Sequence, residues 1–140
     1  MHYSRLHALV IDCCVDDLET ATTFWSRVLG KPVASADQDG DGRYAELATA
    51  ADELAILLQK VEHPSRVHLD VETDDLEAEV QRLETLGARR VAFVRERWWV
   101  MEAPGGHRFC VVHKQRADFG THLNRPAHRR NHRRRPVPRR

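Results

Sequence analysis

Arg66 to Arg90, RVHLDVETDDLEAEVQRLETLGARR, holds a strand, a capped helix and a glycine stop in one run, and that order of signals decides the fold. Two-residue alternation puts Val67, Leu69 and Val71 on one face of the expected strand and His68, Asp70 and Glu72 on the other. Asp74 reads as an N-cap with Glu77 three residues on, so both side chains can accept from free backbone N–H groups of the first turn. Leu76, Val80, Leu83 and Leu86 follow at helical spacing and make one apolar stripe. Gly87 ends the helix, because glycine takes the left-handed conformation after a last turn without a Cβ clash.

The same run is written earlier, as ALVIDCCVDDLETATTFWSRVLG from Ala8 to Gly30. A shift of 58 residues lays Asp16 on Asp74, Asp17 on Asp75, Leu18 on Leu76 and Glu19 on Glu77; one deletion later, Leu29 and Gly30 fall on Leu86 and Gly87. His68 then corresponds to Val10, and Asp70 to Asp12. The repeat keeps its scaffold and changes the side chain that could act on a ligand.

Along the chain, further strands are expected at Leu6–Cys13, 33–35, 44–48, 54–60, 89–94, 98–102 and 109–113, with a first helix over 17–29 whose inward residues are Leu18, Trp25, Val28 and Leu29. Each half is thus strand, helix and three strands. The expectation is an α+β fold of two βαβββ modules, about 5–62 and 65–114, whose strands form a curved mixed sheet around a cleft, within a domain spanning 1–115. Asp37 to Gly42, DQDGDG, imitates the first half of a calcium loop, but the twelfth position is Ala48 where a bidentate glutamate belongs, so a solvated hairpin is expected instead.

A formal charge of +1 hides a division. Residues 1 to 115 carry 13 Lys or Arg against 20 Asp or Glu, whereas 116 to 140 carry 9 against 1. That end, with almost no aliphatic residues, cannot offset its ordering entropy by burial, so an Arg-rich disordered tail over 116–140 is expected, with nonspecific polyanion contact as its functional alternative. No apolar run of membrane-spanning length occurs, and the N-terminus has no signal-peptide pattern. Together with three cysteines, two of them adjacent at Cys13 and Cys14, this leads to the expectation of a reduced cytoplasmic protein without a disulfide framework.

The two units, with Phe24-Trp25 in the first, RVHLDVETDDLEAEVQRLETLGARRV in the second and WVMEAPGGHRFCVV at Trp99 to Val112, resemble the vicinal oxygen chelate superfamily, and in it the small actinobacterial glyoxalase-like domains. The resemblance covers about residues 5 to 114. It implies a divalent ion held by four side chains from the first and last strands of each unit, at the places of Val10, Gln59, His68 and Cys110. Only Gln59 and His68 are ordinary ligands of such an ion; Cys110 could serve a soft ion as thiolate, and a valine offers nothing.

The expected ligand contacts in the cleft are His68, Gln59, Trp99, Asp12, Asp70 and Cys110. His68 beside two carboxylates can orient a polar ligand or carry a proton near neutral pH, and one of Trp98 and Trp99 faces the cleft with flat apolar area while the other enters the core. The first reading is therefore a domain that binds a small organic molecule without a complete metal site. The second is a metal-dependent lyase or isomerase of the glyoxalase type. A homodimer would close the sheet through symmetry-related apolar faces.

Overall fold

A computed structural model describes residues 1–35, 41–115, 119, 120 and 123. Most of the DQDGDG turn and of the Arg-rich tail lie outside the described residues.

The first module is β1 (Ser4–Cys13), α1 (Leu18–Leu29), β2 (Val33–Ser35), β3 (Tyr44–Leu47) and β4 (Ala55–Lys60). The second is β5 (Arg66–Thr73), α2 (Leu76–Thr85), β6 (Arg89–Val94), β7 (Trp98–Glu102) and β8 (Arg108–His113). All eight strands join one curved open sheet in the order β2-β3-β4-β1-β5-β8-β7-β6, so the modules meet where β1 runs antiparallel to β5. Within each module the first strand pairs in parallel with the last, β1 with β4 and β5 with β8. The expected α+β fold of two βαβββ modules is the observed one.

One sheet face is covered by helices in two patches. Ile11, Cys13, Leu18, Ala45, Leu47 and Leu58 pack beneath α1 with Trp25, and Val80, Met101 and Val111 pack beneath α2 with Leu76, Leu83, Trp99 and Phe109. Between the patches, Val67 and Leu69 are about half exposed, because the helices flank the central strand pair and leave it uncovered. The opposite sheet face forms the cleft.

Local signals act as the repeat predicts, with shifts of one position. The N-caps are Asp17, accepting from the Glu19 N–H, and Asp75, accepting from the Ala78 N–H. Asp74, expected in that role, accepts from the Tyr3 N–H at 2.8 Å and so fastens the chain start to the second module. Gly30 and Gly87 both stand at positive φ, 65° and 104°, where a side chain would be strained. The inward face of α1 is narrower than its sequence implies: Leu18 and Thr22 are buried, while Val28 is 56% exposed, its side of the helix lying off the sheet. Leu86 is the C-cap of α2 and points outward at 64% exposure, so the apolar stripe ends at Leu83.

Candidate functional site

The cleft floor is set by register. Val10 stands opposite His68 across the β1–β5 pair, Asp70 beside Cys110 across β5–β8, and Asp12 beside Gln59 across β1–β4. The period of two then carries Val10, Asp12, Leu57, Gln59, His68, Asp70, Cys110 and Val112 to one face. Val10 and His68, equivalent through the repeat, face the same hollow.

His68 is held by one carboxylate from each module. Its Nδ1–H donates to Asp12 Oδ2 at 2.7 Å, and its Nε2 lies 3.2 Å from Asp70 Oδ1. The second contact is an attraction between charges that is out of line for a hydrogen bond, so Asp70 Oδ1 is buried without a hydrogen-bond partner, as is Asp12 Oδ1. Burial works to strip the proton from His68, but Asp12, then Asp70 and Cys110 outweigh it and push its pKa up to about 11. Burial raises the Cys110 pKa in turn, with the Asp70 charge adding to it against the neighbouring imidazole, so the thiol keeps its proton. Asp12 is 3% exposed and forms part of the floor; Arg66 and His63 approach it at 3.9 and 4.0 Å.

Above this floor lies a cavity of about 210 Å³. Val10, Leu57 and Val112 give it apolar walls, Gln59 donates from Nε2 to the Tyr44 hydroxyl at 3.2 Å, and Trp98, Arg95 and Arg97 form its rim. A second hollow of about 510 Å³ adjoins it, sharing Tyr44, Gln59, His68, Arg95, Trp98 and Cys110. A larger hollow, about 750 Å³, is an open apolar groove between α1 and β5 that does not include His68.

The structure brings His68, Gln59, Asp12, Asp70 and Cys110 together and sends Trp99 elsewhere. Trp99 pairs with Val111 and packs on the α2 side, stacked on Phe93 at 4.8 Å with the Arg90 guanidinium over its ring. Trp98, one residue away on the opposite face, takes the cleft position. Tyr44, Arg95 and Arg97 were not foreseen. Tyr44 is in phase with Glu46 on a short strand that gives little period to read. Arg95 and Arg97 sit in a turn made without glycine, asparagine or aspartate.

The divalent ion that the resemblance implies needs a donor at each of four places. At its four places stand Val10, which has no donor atom, Gln59, whose amide nitrogen donates to the Tyr44 hydroxyl, His68, whose Nδ1 is taken by Asp12, and Cys110, a thiol where an imidazole or oxygen donor belongs. That set does not fit the ion. A different trio, His68, Asp70 and Cys110, does bring three potential ligand atoms within 4.8 Å of one another.

A profile of the glyoxalase-like domain family matches residues 8–112. No curated protein matches the sequence. Among solved structures, methylmalonyl-CoA epimerase from Mycobacterium tuberculosis superposes with a TM-score of 0.57 at 21% identity, covering 79% of this chain and 88% of that one. A glyoxalase/bleomycin resistance protein/dioxygenase superfamily member from Vibrio splendidus 12B01 gives 0.50 at 19% identity, over 79% and 99%. A variant of homoprotocatechuate 2,3-dioxygenase from B. fuscum gives 0.52 at 19% identity, over 81% of this chain and 33% of that longer one. Similarity at this level is a similarity of fold.

Proposed function

Because this chain belongs to the glyoxalase-like domain family of the vicinal oxygen chelate superfamily, we propose that it binds a small organic molecule in the cleft between its two modules, without a metal ion. One observation carries the reading: a buried Asp12–His68–Asp70 array lies beneath a cavity with apolar walls. Burying three ionised groups is expensive, and a sheet that served only as scaffold would cover this face with aliphatic residues, as it does under α1 and α2. Perturbed ionisable groups converging on a half-enclosed hollow are the usual mark of a site where ligands are held. Three free cysteines suit a reducing, cytoplasmic setting, and among the described residues no helix is long and apolar enough to cross a membrane.

Thermal-shift screening of chelator-treated protein against single-ring metabolites tests this. A hit is expected to raise Tm without added metal, and to lose its effect in Gln59→Ala and Trp98→Ala. Hits that appear only when zinc, nickel or manganese is supplied would overturn the metal-free reading.

The His68, Asp70 and Cys110 trio supports a second reading, a metal-dependent lyase or isomerase. A soft divalent ion there would act as a Lewis acid on adjacent substrate oxygens. It would have to displace protons from His68 and Cys110, so zinc affinity measured by calorimetry should rise steeply between pH 7 and pH 9 and vanish in Cys110→Ala.

A further inference from the structure

We propose that the occupant of the cleft is a small organic acid with a hydroxyl or amine next to its acid group and a flat apolar part, its acid on Arg95 and Arg97, its donor on the Asp70 carboxylate and its apolar part on Trp98. This rests on the cleft being a binding site and names what it selects.

Charge distribution gives the acid. Residues 1 to 115 hold 13 Lys or Arg against 20 Asp or Glu, yet six of those cations line the two adjoining hollows against four carboxylates. Three of the six are engaged: Arg66 near Asp12 at 3.9 Å, Arg108 near Glu102 at 3.6 Å, and Lys60 donating to the Asp16 carbonyl at 3.0 Å. Arg95 and Arg97 form no ion pair among the described residues, although the rest of the fold has acidic groups to spare. A guanidinium presents a fork of donors that matches a carboxylate, and two of them at a partly enclosed rim favour an anion strongly. Arg95 and Glu96 both take the left-handed conformation, at φ 50° and 55°, as the central residues of the tight hairpin turn between β6 and β7, and that turn brings Arg95 to the rim.

Asp70 gives the donor. Its side chain is 12% exposed and lines the same cavity as the two arginines, and among the described residues its Oδ1 meets the His68 ring at 3.2 Å without a hydrogen bond. A carboxylate at a cavity wall that receives so few hydrogen bonds is stabilised when a ligand supplies N–H or O–H to its accessible edge. An acid without such a donor would instead set its own negative charge against Asp70. Trp98 with Val10, Leu57 and Val112 completes the complement, and a volume of about 210 Å³ admits a single-ring molecule.

Calorimetry and tryptophan fluorescence on the full chain, with four probes, test each part. Mandelate carries all three features; mandelamide lacks the charge, phenylacetate the hydroxyl and lactate the ring. Mandelate is expected to bind about tenfold or more tightly than each of the others, and to quench fluorescence in the native protein but not in Trp98→Phe. Arg95→Gln and Arg97→Gln, at an exposed turn that tolerates them, should each weaken mandelate by about tenfold and leave mandelamide unchanged. Asp70→Asn should abolish the preference for mandelate over phenylacetate. Equal binding of mandelate and mandelamide, unaffected by the arginine variants, would overturn the acid assignment while leaving the cleft a binding site. Silence from all four probes, in a protein that also gives no thermal shift with any single-ring compound, would remove both.

Discussion

His68 keeps a proton at neutral pH that an isolated imidazole would largely have released, because each module contributes a carboxylate to it. Its folded pKa lies above its unfolded one, so its contribution to stability is complete below about 6.5 and is lost as pH rises toward about 11. Between those limits the native state holds a proton that the unfolded chain has given up, and unfolding becomes easier with each step upward. The urea midpoint is therefore expected to fall steadily from pH 7 to pH 10. In Asp12→Asn the largest contact holding the charge is weakened, and that slope should flatten, with the His68 titration followed by NMR moving down toward its ordinary value. An unchanged slope in Asp12→Asn would show that the carboxylate does not hold the proton. The two neighbouring tryptophans divide in the same concrete way. Trp99→Ala empties part of the packing under α2 and should destabilise by about 2–3 kcal/mol, measured by urea titration. Trp98→Ala should cost less in stability and remove ligand binding.

The β6–β7 connection is a tight hairpin turn built from residues that do not favour it. Its turn closes with the Arg97 N–H donating to the Val94 carbonyl at 2.9 Å, and both central residues, Arg95 and Glu96, are left-handed without being glycine. Glu96→Gly relieves one strained position and is expected to stabilise the protein by about 1 kcal/mol, read as a higher urea midpoint with the denaturant slope unchanged. Arg95→Gly should stabilise similarly yet weaken acid binding, which separates the two uses of the turn. Elements of this chain were legible in proportion to how local their signals are. The repeated helix with its aspartate start and glycine stop was readable, since each signal acts within a turn of backbone. The cap fell on Asp75 instead of Asp74 because a distant partner, Tyr3, claims Asp74. The phase of Trp98 and Trp99 depends on which residue of β8 stands opposite, and no local pattern states that Trp99 faces Val111. The repeat did align Asp12 with Asp70 and His68 with Val10, and so drew the floor of the site; the arginines above it come from a turn whose composition carries no turn signal.

At the scale of the whole molecule, the two modules are joined through their first strands and not by a linker. β1 pairs with β4 of its own module and with β5 of the other, so the sheet is continuous through the repeat boundary. The chain start reinforces that seam: Thr73 Oγ1 donates to the Tyr3 carbonyl at 2.7 Å, His2 meets the buried Glu79 at 2.7 Å, and Arg5 pairs with the fully buried Glu72. Glu72 also accepts from the Gln115 N–H at 2.7 Å, so both ends of the described domain converge on one carboxylate in the second module. A module detached from this arrangement would leave the Asp12–His68–Asp70 array half-built, with a buried charge facing no partner. The modules should therefore unfold together. Leu58, fully buried under α1, and Val80, fully buried under α2, report from opposite halves. Leu58→Ala is expected to destabilise by about 2–4 kcal/mol and Val80→Ala by about 2 kcal/mol. Native-state hydrogen exchange should show the slowest amides of β4 and of β7 speeding up by the same factor in either variant, since both open only through global unfolding. Acceleration confined to the substituted half would mean that each module holds itself together, and that the seam between β1 and β5 is a contact between two independent units.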